Sequence, residues 1–345
     1  MTDYFTNGPS LDSGSYLITE FDKKFFKKLI DIMPNDACLV DTTWINDPKV
    51  FKNFVDWQVT VDKPRAFLYS GMDWSSEIQG TPVSNMAHKF FPYRFDCTHI
   101  GNANQGHYFS FWVEFIDAHR KYFFDDVYLG RPTFEHHFMC LNNKCNPHRA
   151  YLLNKMFQDE SVWKRGNISV IQRDDRYNFP HPIILGENRP RHLVKKFKPS
   201  EILSDHHIAN DIVTLGDPRH WRSHFLTVVT ESCHHTDVFL SEKIFKPIIG
   251  LRPFLAIGDR NLYPKLKEFG FDTFDDLFPN VGIDTDNYER RANNLLKDLS
   301  NFCLTPQKDL ELIYDSIYNR LERNRENMIS LIKKNKEWIQ DLSKL

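Results

Sequence analysis

The chain has 345 residues, enough for two cores, and its hydrophobic (41%) and charged (26%) fractions are ordinary for a globular protein. A formal net charge of −2 supplies no global field for nucleic acid, so such a partner needs a local basic patch. No apolar run is long enough to span a bilayer, and the opening MTDYFTNGPSLDSGSY lacks the basic and apolar regions of a signal peptide, so the expectation is a soluble, cytoplasmic protein with no membrane span.

The six cysteines (38, 97, 140, 145, 233 and 303) are scattered, which favours reduced thiols over a disulfide framework. Residues 1–16 are polar and turn-rich. Residues 21–33 (FDKKFFKKLIDIM) place apolar side chains at 21, 25, 26, 29, 30 and 33, a helical spacing. Residues 37–40 (ACLV) and 66–69 (AFLY) read as short buried strands; the first ends at Asp41 and the second leads into a loop carrying Asp73. A Gly/Asn-rich loop over 99–107, with His99 and His107, leads into an aromatic run at 108–116. Helix, strand, loop and strand in this order predict a first α/β domain over residues 1–130.

Residues 130–133 (GRPT) mark the join to a second domain over 131–304. There, 137–141 (HFMCL) reads as a strand and 142–146 as a loop, with Asn146 as N-cap and Pro147 at the first position of a helix. That helix buries Leu152, Leu153 and Met156 and carries Arg149 in its first turn. His136, His137, Cys140, Cys145 and His148 have no second ligand pair at metal spacing, so no metal is expected. A strand follows at 168–172. The Pro-rich, basic stretch at 178–199, with RPRH and KKFK, reads as a connecting loop or as a local contact for a phosphate backbone or anionic glycan.

Residues 224–230 (HFLTVVT) suit a buried strand that ends at Glu231. In the adjoining SCHH, neighbouring loop residues do not face each other as a nucleophile pair needs, which leaves His234 or His235 to line a pocket. Ser241 is the N-cap of a helix that opens with Glu242 and Lys243, buries Ile244, Phe245, Ile248 and Ile249, and stops at Gly250 before an apolar strand at 253–257. Such a β-loop-α-β unit places ligands at the carboxyl ends of its strands, and an acid beside a base at a helix N-terminus suits a ribose with a diphosphate. A short helix at 262–269 and the phrase GFDTF follow. A long helix is then expected from Thr305 as N-cap and Pro306 through residue 345, its apolar seam too irregular for a coiled coil.

The run SEKIFKPIIGLRPFLAIG resembles the donor-binding motif of GT-B glycosyltransferases, most closely that of the alpha-1,3-fucosyltransferase family, and GFDTF lengthens the match to about fifty residues. The resemblance implies an α/β chain of two Rossmann-like domains facing a cleft, with the helix of residues 305–345 returning across the domain join. It implies a nucleoside-diphosphate sugar, GDP- or UDP-linked, as co-substrate, with no further cofactor. Glu242 then holds the ribose hydroxyls and Lys243 the diphosphate. Asn143 and Arg149, at the first strand-helix unit, become donor contacts, joined by Glu231 and His234. An inverting enzyme also needs a carboxylate or histidine as base for the acceptor hydroxyl; Asp41 and Asp73 at strand ends, with His99 and His107 in the loop before the aromatic run, are the candidates, and none of them matches the family's own base. The acceptor is a glycan or a similar hydroxyl compound. A DNA-modifying enzyme of the same fold acting on hydroxylated bases, a non-catalytic nucleotide or sugar binder, and an interaction protein built on the long helix are the rival readings.

Overall fold

The computed structural model describes residues 4–6, 31, 37–41, 65–70, 96–101, 107–108, 111–142, 147–170, 214–216, 218–231, 234, 238–283 and 286–342. The chain divides into two units by internal contact: residues 1–118 with 235–238 and 331–345, and residues 119–234 with 239–330. Asp73, Asn143, Cys145, Asn146, Cys233, His235 and the basic stretch at 178–199 lie outside the described residues.

In the first unit, β1 (Tyr4–Thr6), β2 (Ala37–Asp41), β3 (Arg65–Ser70), β4 (Asp96–Gly101) and β5 (His107–Tyr108) form a parallel sheet in chain order. Leu39 pairs with Phe67, and Phe67 with Thr98, so the apolar runs expected at 37–40 and 66–69 are neighbours. Asp41 closes β2. His99 lies inside β4 and His107 opens β5, so neither sits in the loop expected over 99–107. The rest of the aromatic run is a helix, α1 (Phe111–Ala118), in which Val113, Phe115 and Ile116 are buried. Aromatic residues favour strands only where their packing does, and tertiary burial overrides that preference. Of the helix expected at 21–33 only Asp31 is described, and it is helical.

The second unit opens with α2 (Arg120–Phe123) and a 3-10 turn at Asp126–Tyr128. It continues through β6 (His136–Asn142), α3 (Pro147–Gln158), α4 (Glu160–Trp163), β7 (Gly166–Val170) and α5 (Pro218–Arg222). Next come β8 (His224–Thr230), α6 (Glu242–Ile249), β9 (Phe254–Ile257), α7 (Leu262–Glu268), α8 (Tyr288–Cys303) and α9 (Leu310–Leu342), whose residues from 331 on belong to the first unit. The sheet order is β7-β6-β8-β9, all parallel. Every residue of β8 and β9 is buried, as their continuous apolar runs require of strands covered on both faces. Asn142 belongs to β6 rather than to the loop expected after it, and β7 begins two residues earlier than the expected 168. No helix of the described residues is long and apolar enough to cross a membrane.

Local signals account for the ends of several elements. Ser241 caps α6 by accepting from Lys243 N, and Asn287 caps α8 by accepting from Arg290 N. Gly250 ends α6, but at φ −84°; the left-handed residue is Leu251, at φ 56°. The glycine is needed there for space, because a Cβ on Gly250 would enter the indole of Trp221. Thr305 does not cap α9. Pro306, at ψ 139°, precedes a 3-10 turn at Gln307–Asp309, and α9 starts after it. The Thr305 carbonyl instead meets His137 Nε2 at 2.7 Å.

Two buried histidines tie this unit's stability to pH. His224 Nδ1 lies 2.8 Å from the His220 carbonyl and Nε2 lies 3.0 Å from Thr227 Oγ1, an arrangement that fits a neutral ring donating from Nδ1. Burial drives this imidazole well below its usual range, and the nearby Arg252 charge pushes the same way. Burial lowers His137 as well, against the bond to Thr305. The unfolded chain therefore takes up protons below about pH 6.5 that the folded chain refuses, and stability falls as pH drops through that window. Urea midpoints are expected to decline from pH 7 to pH 5, with a flatter slope in a His224→Gln chain. A midpoint constant over that range would show that neither ring is held neutral.

Candidate functional site

The strand order sets the location. From β6 the chain passes through α3 to β7 on one side, whereas from β8 it passes through α6 to β9 on the other. β6 and β8 are adjacent, so the chain departs in opposite directions from their carboxyl ends. In open parallel sheets that divergence leaves a crevice where ligands bind. Here the two strand ends are cross-linked. Thr230 Oγ1 donates to Asn142 Oδ1 at 2.8 Å, Arg149 Nη2 donates to the Thr230 carbonyl at 3.0 Å, and His148 Nε2 lies 2.9 Å from the Glu231 carbonyl. The first turn of α3 is thereby fastened to the end of β8.

On the β8 side, Glu231 is fully buried and both of its oxygens meet Ser241: Oε1 accepts from the backbone N at 3.0 Å and Oε2 from Oγ at 2.5 Å. Ser241 Oγ in turn accepts from Lys243 N at 3.3 Å and from Lys243 Nζ at 3.1 Å. Lys243 Nζ also donates to Glu242 Oε1 at 3.0 Å. Glu242 is only 4% exposed, and its Oε2 is buried with no hydrogen-bond partner. A buried carboxylate oxygen without a donor is costly, which makes this atom the natural acceptor for a ligand's hydroxyl or N–H. The Lys243 side chain is one-third exposed, so its ammonium faces both the carboxylates and the outside.

The charges here perturb one another. Burial raises the Glu231 carboxyl, against the pull of Lys243 and Ser241. Burial acts to raise Glu242 too, but Lys243 and Lys246 outweigh it and hold that carboxyl below its usual range. Burial lowers the Arg149 guanidinium, with Glu231 and Glu242 pulling it back. Arg149 therefore lies within electrostatic reach of both acids. The ensemble is a cation pair, Arg149 and Lys243, set around two buried carboxylates at the N-termini of α3 and α6. It suits an anion linked to a hydroxyl-bearing group.

Aromatic rings border this region. His148 stacks on His234 with centroids 4.4 Å apart, and Tyr288 from α8 meets His234 edge-on at 4.8 Å. Tyr288 donates to the His148 carbonyl at 2.7 Å, and Arg291 Nη2 donates to the His234 carbonyl at 2.8 Å. Arg291 also borders a small depression at the end of β9, with Gly258, Asp259, Arg260, Gly282 and Ile283.

Five of the expected donor residues, Arg149, Glu231, His234, Glu242 and Lys243, are thus found around one pair of strand ends. Glu231 differs from the expectation in detail, since Ser241 takes both of its oxygens. Asp41 ends β2 in the other unit, and Asp73 and Asn143 lie outside the described residues. His148, considered in sequence only as a metal ligand, is instead a ring partner and a carbonyl contact, while Tyr288, Arg291 and Asn142 carried no local signal. Cys140 is buried and free, its thiol pushed up to about 11 by burial. Among the described residues no group of three or more His, Cys, Asp or Glu is placed to share a metal ion. No protein family, curated protein or solved structure matches this chain.

Proposed function

We propose that the chain is a glycosyltransferase that moves a sugar from a nucleoside-diphosphate sugar, GDP- or UDP-linked, to an acceptor hydroxyl, with inversion and without a metal ion. The observation that carries this reading is Glu242: a buried carboxylate with one oxygen on Lys243 and the other without a donor, at the head of α6 beside the divergence of β6 and β8. A ribose diol supplies the missing donors, and the diphosphate it carries meets Lys243, the α6 N-terminus and Arg149. In the reaction the acceptor oxygen attacks the anomeric carbon, the bond from that carbon to the diphosphate breaks, and the electron pair leaves on the diphosphate. Lys243 and Arg149 stabilise the charge that develops there, which is preorganised electrostatics rather than covalent catalysis. The acceptor proton passes to a carboxylate, for which Asp41 and Asp73 remain the candidates. Two Rossmann-like domains facing a cleft, with a glycan as acceptor, complete this reading.

The test is a melting-temperature screen against GDP, UDP, CDP and dTDP and their sugars, each with and without Mg²⁺. A ligand that binds the folded state raises its melting temperature with affinity and excess. One nucleotide is expected to give a clear shift regardless of Mg²⁺, and its 2′,3′-dideoxy analogue a much smaller one, because Glu242 Oε2 loses its donors. No shift from any nucleotide would refute the reading.

A further inference from the structure

We propose that Glu231 is a positioning residue that acts through Ser241 to fix the direction in which Lys243 presents its ammonium group. The hydrogen-bond directions leave little freedom. Against the cost of burial, the nearby Lys243 ammonium and the two Ser241 donors favour the ionised form of Glu231; a carboxylate in that form only accepts, so the single hydroxyl proton of Ser241 is committed to Glu231 Oε2, at the 2.5 Å separation typical of a charge-assisted bond. The Ser241 oxygen then has only lone pairs left, and both face Lys243: one takes the backbone N–H at 3.3 Å, the other the ammonium at 3.1 Å. The second oxygen of Glu231 holds the Ser241 peptide N–H at 3.0 Å, which stops the serine from rotating out of this arrangement. Glu231 and Ser241 are both fully buried, so solvent does not replace either bond. With Glu242 Oε1 on its other side, at 3.0 Å, the ammonium is held between two acceptors whose places Glu231 and the head of α6 dictate.

The isosteric amide cannot do the same. Ser241 offers two donors, its N–H and its O–H, and a glutamine at 231 offers one oxygen and one NH₂. In either orientation of the amide, one Ser241 donor faces another donor. If that donor is the hydroxyl, its proton turns toward Lys243 and repels the ammonium. What Lys243 is positioned for rests on the nucleotide-sugar reading; the positioning itself does not.

The experiment compares wild type, Glu231→Gln, Ser241→Ala and Ser241→Thr by two readouts, after circular dichroism has shown which variants fold. The first is acetylation of Lys243 by limiting acetic anhydride, counted by mass spectrometry against Lys265 in the same sample. Labelling is expected to rise about fivefold in Glu231→Gln and Ser241→Ala, the equivalent of one lost hydrogen bond, and to stay at the wild-type level in Ser241→Thr, which keeps the hydroxyl. The second is affinity for GDP and UDP against their nucleosides. Diphosphate affinity is expected to fall about tenfold in Glu231→Gln with nucleoside affinity unchanged, and the same substitution should add nothing in a Lys243→Met background. Unchanged Lys243 labelling in both Glu231→Gln and Ser241→Ala would overturn the proposal, as would an equal loss for nucleoside and diphosphate. If the labelling follows the expected order but wild type binds no nucleotide, the nucleotide reading falls and the positioning role stands.

Discussion

An Arg252→Met chain is expected to lose about 3 kcal/mol of stability or more, read as a lower urea midpoint at constant slope. Arg252 is 1% exposed and its partners are neutral oxygens: Nη1 reaches the Gly250 carbonyl at 3.2 Å, the Leu251 carbonyl at 2.8 Å and Tyr314 Oη at 3.2 Å, while Nη2 reaches the Trp221 carbonyl at 3.0 Å. Burial pulls the guanidinium down to about 10, against the Tyr314 phenol, which leaves it charged at neutral pH. Removing it strands buried carbonyls at the turn where Leu251 holds its positive φ. Arg252→Lys should recover only part of the loss, because a single ammonium does not span the fork from Trp221 to Tyr314. A midpoint shift equivalent to less than about 0.5 kcal/mol would show that the turn holds itself without this cation.

The second large effect concerns ligand binding. Under the nucleotide-sugar reading, Lys243→Met and Arg149→Met should each weaken nucleoside-diphosphate binding by roughly ten- to a hundredfold, the range for losing a charged hydrogen bond. Arg149→Met carries an additional structural cost, since Arg149 Nη2 holds the Thr230 carbonyl and the variant loses that bond too. Lys243 is one-third exposed and leaves a smaller gap, so its variant should melt near wild type. Titration calorimetry with GDP and UDP separates the two. Diphosphate affinity within twofold of wild type in Lys243→Met would remove Lys243 from the site.

The parts of this site that were legible in the sequence are those written locally. Ser241 as cap, the run of apolar residues through β8 and β9, and the charged pair opening α6 all follow from spacing over a few residues. Gly250 was legible as a stop, but not for its reason, because Trp221 lies 29 residues earlier in the chain and only the fold brings it alongside. Tyr288 reaches His148 across 140 residues and Arg291 reaches His234 across 57, so neither contact leaves a local pattern. The aromatic run that becomes α1 shows the opposite failure: it is rich in strand-favouring residues, and residues 113–116 are buried in succession, so no helical period marks it. Glu231 was legible as a strand end, but its commitment to Ser241, ten positions further along the chain, leaves no local pattern.

The grip of α9 on the second unit sets an order on its synthesis. Tyr314 completes the Arg252 cluster, Arg320 holds Asp272 and Asp276, and Asn324 accepts from Asp272 N and donates to its carbonyl. Strands β6 to β9 all precede these partners by at least 57 residues, counted from Ile257 to Tyr314. During synthesis the Arg252 guanidinium is therefore made well before the Tyr314 phenol it bonds. The residues at the head of α6, up to Lys243, likewise precede the Arg252 and Tyr314 that secure the turn at its other end. Chaperones that bind exposed apolar surface have their longest opportunity in that interval, before Arg320 and Asn324 emerge to close the loop at 272–276.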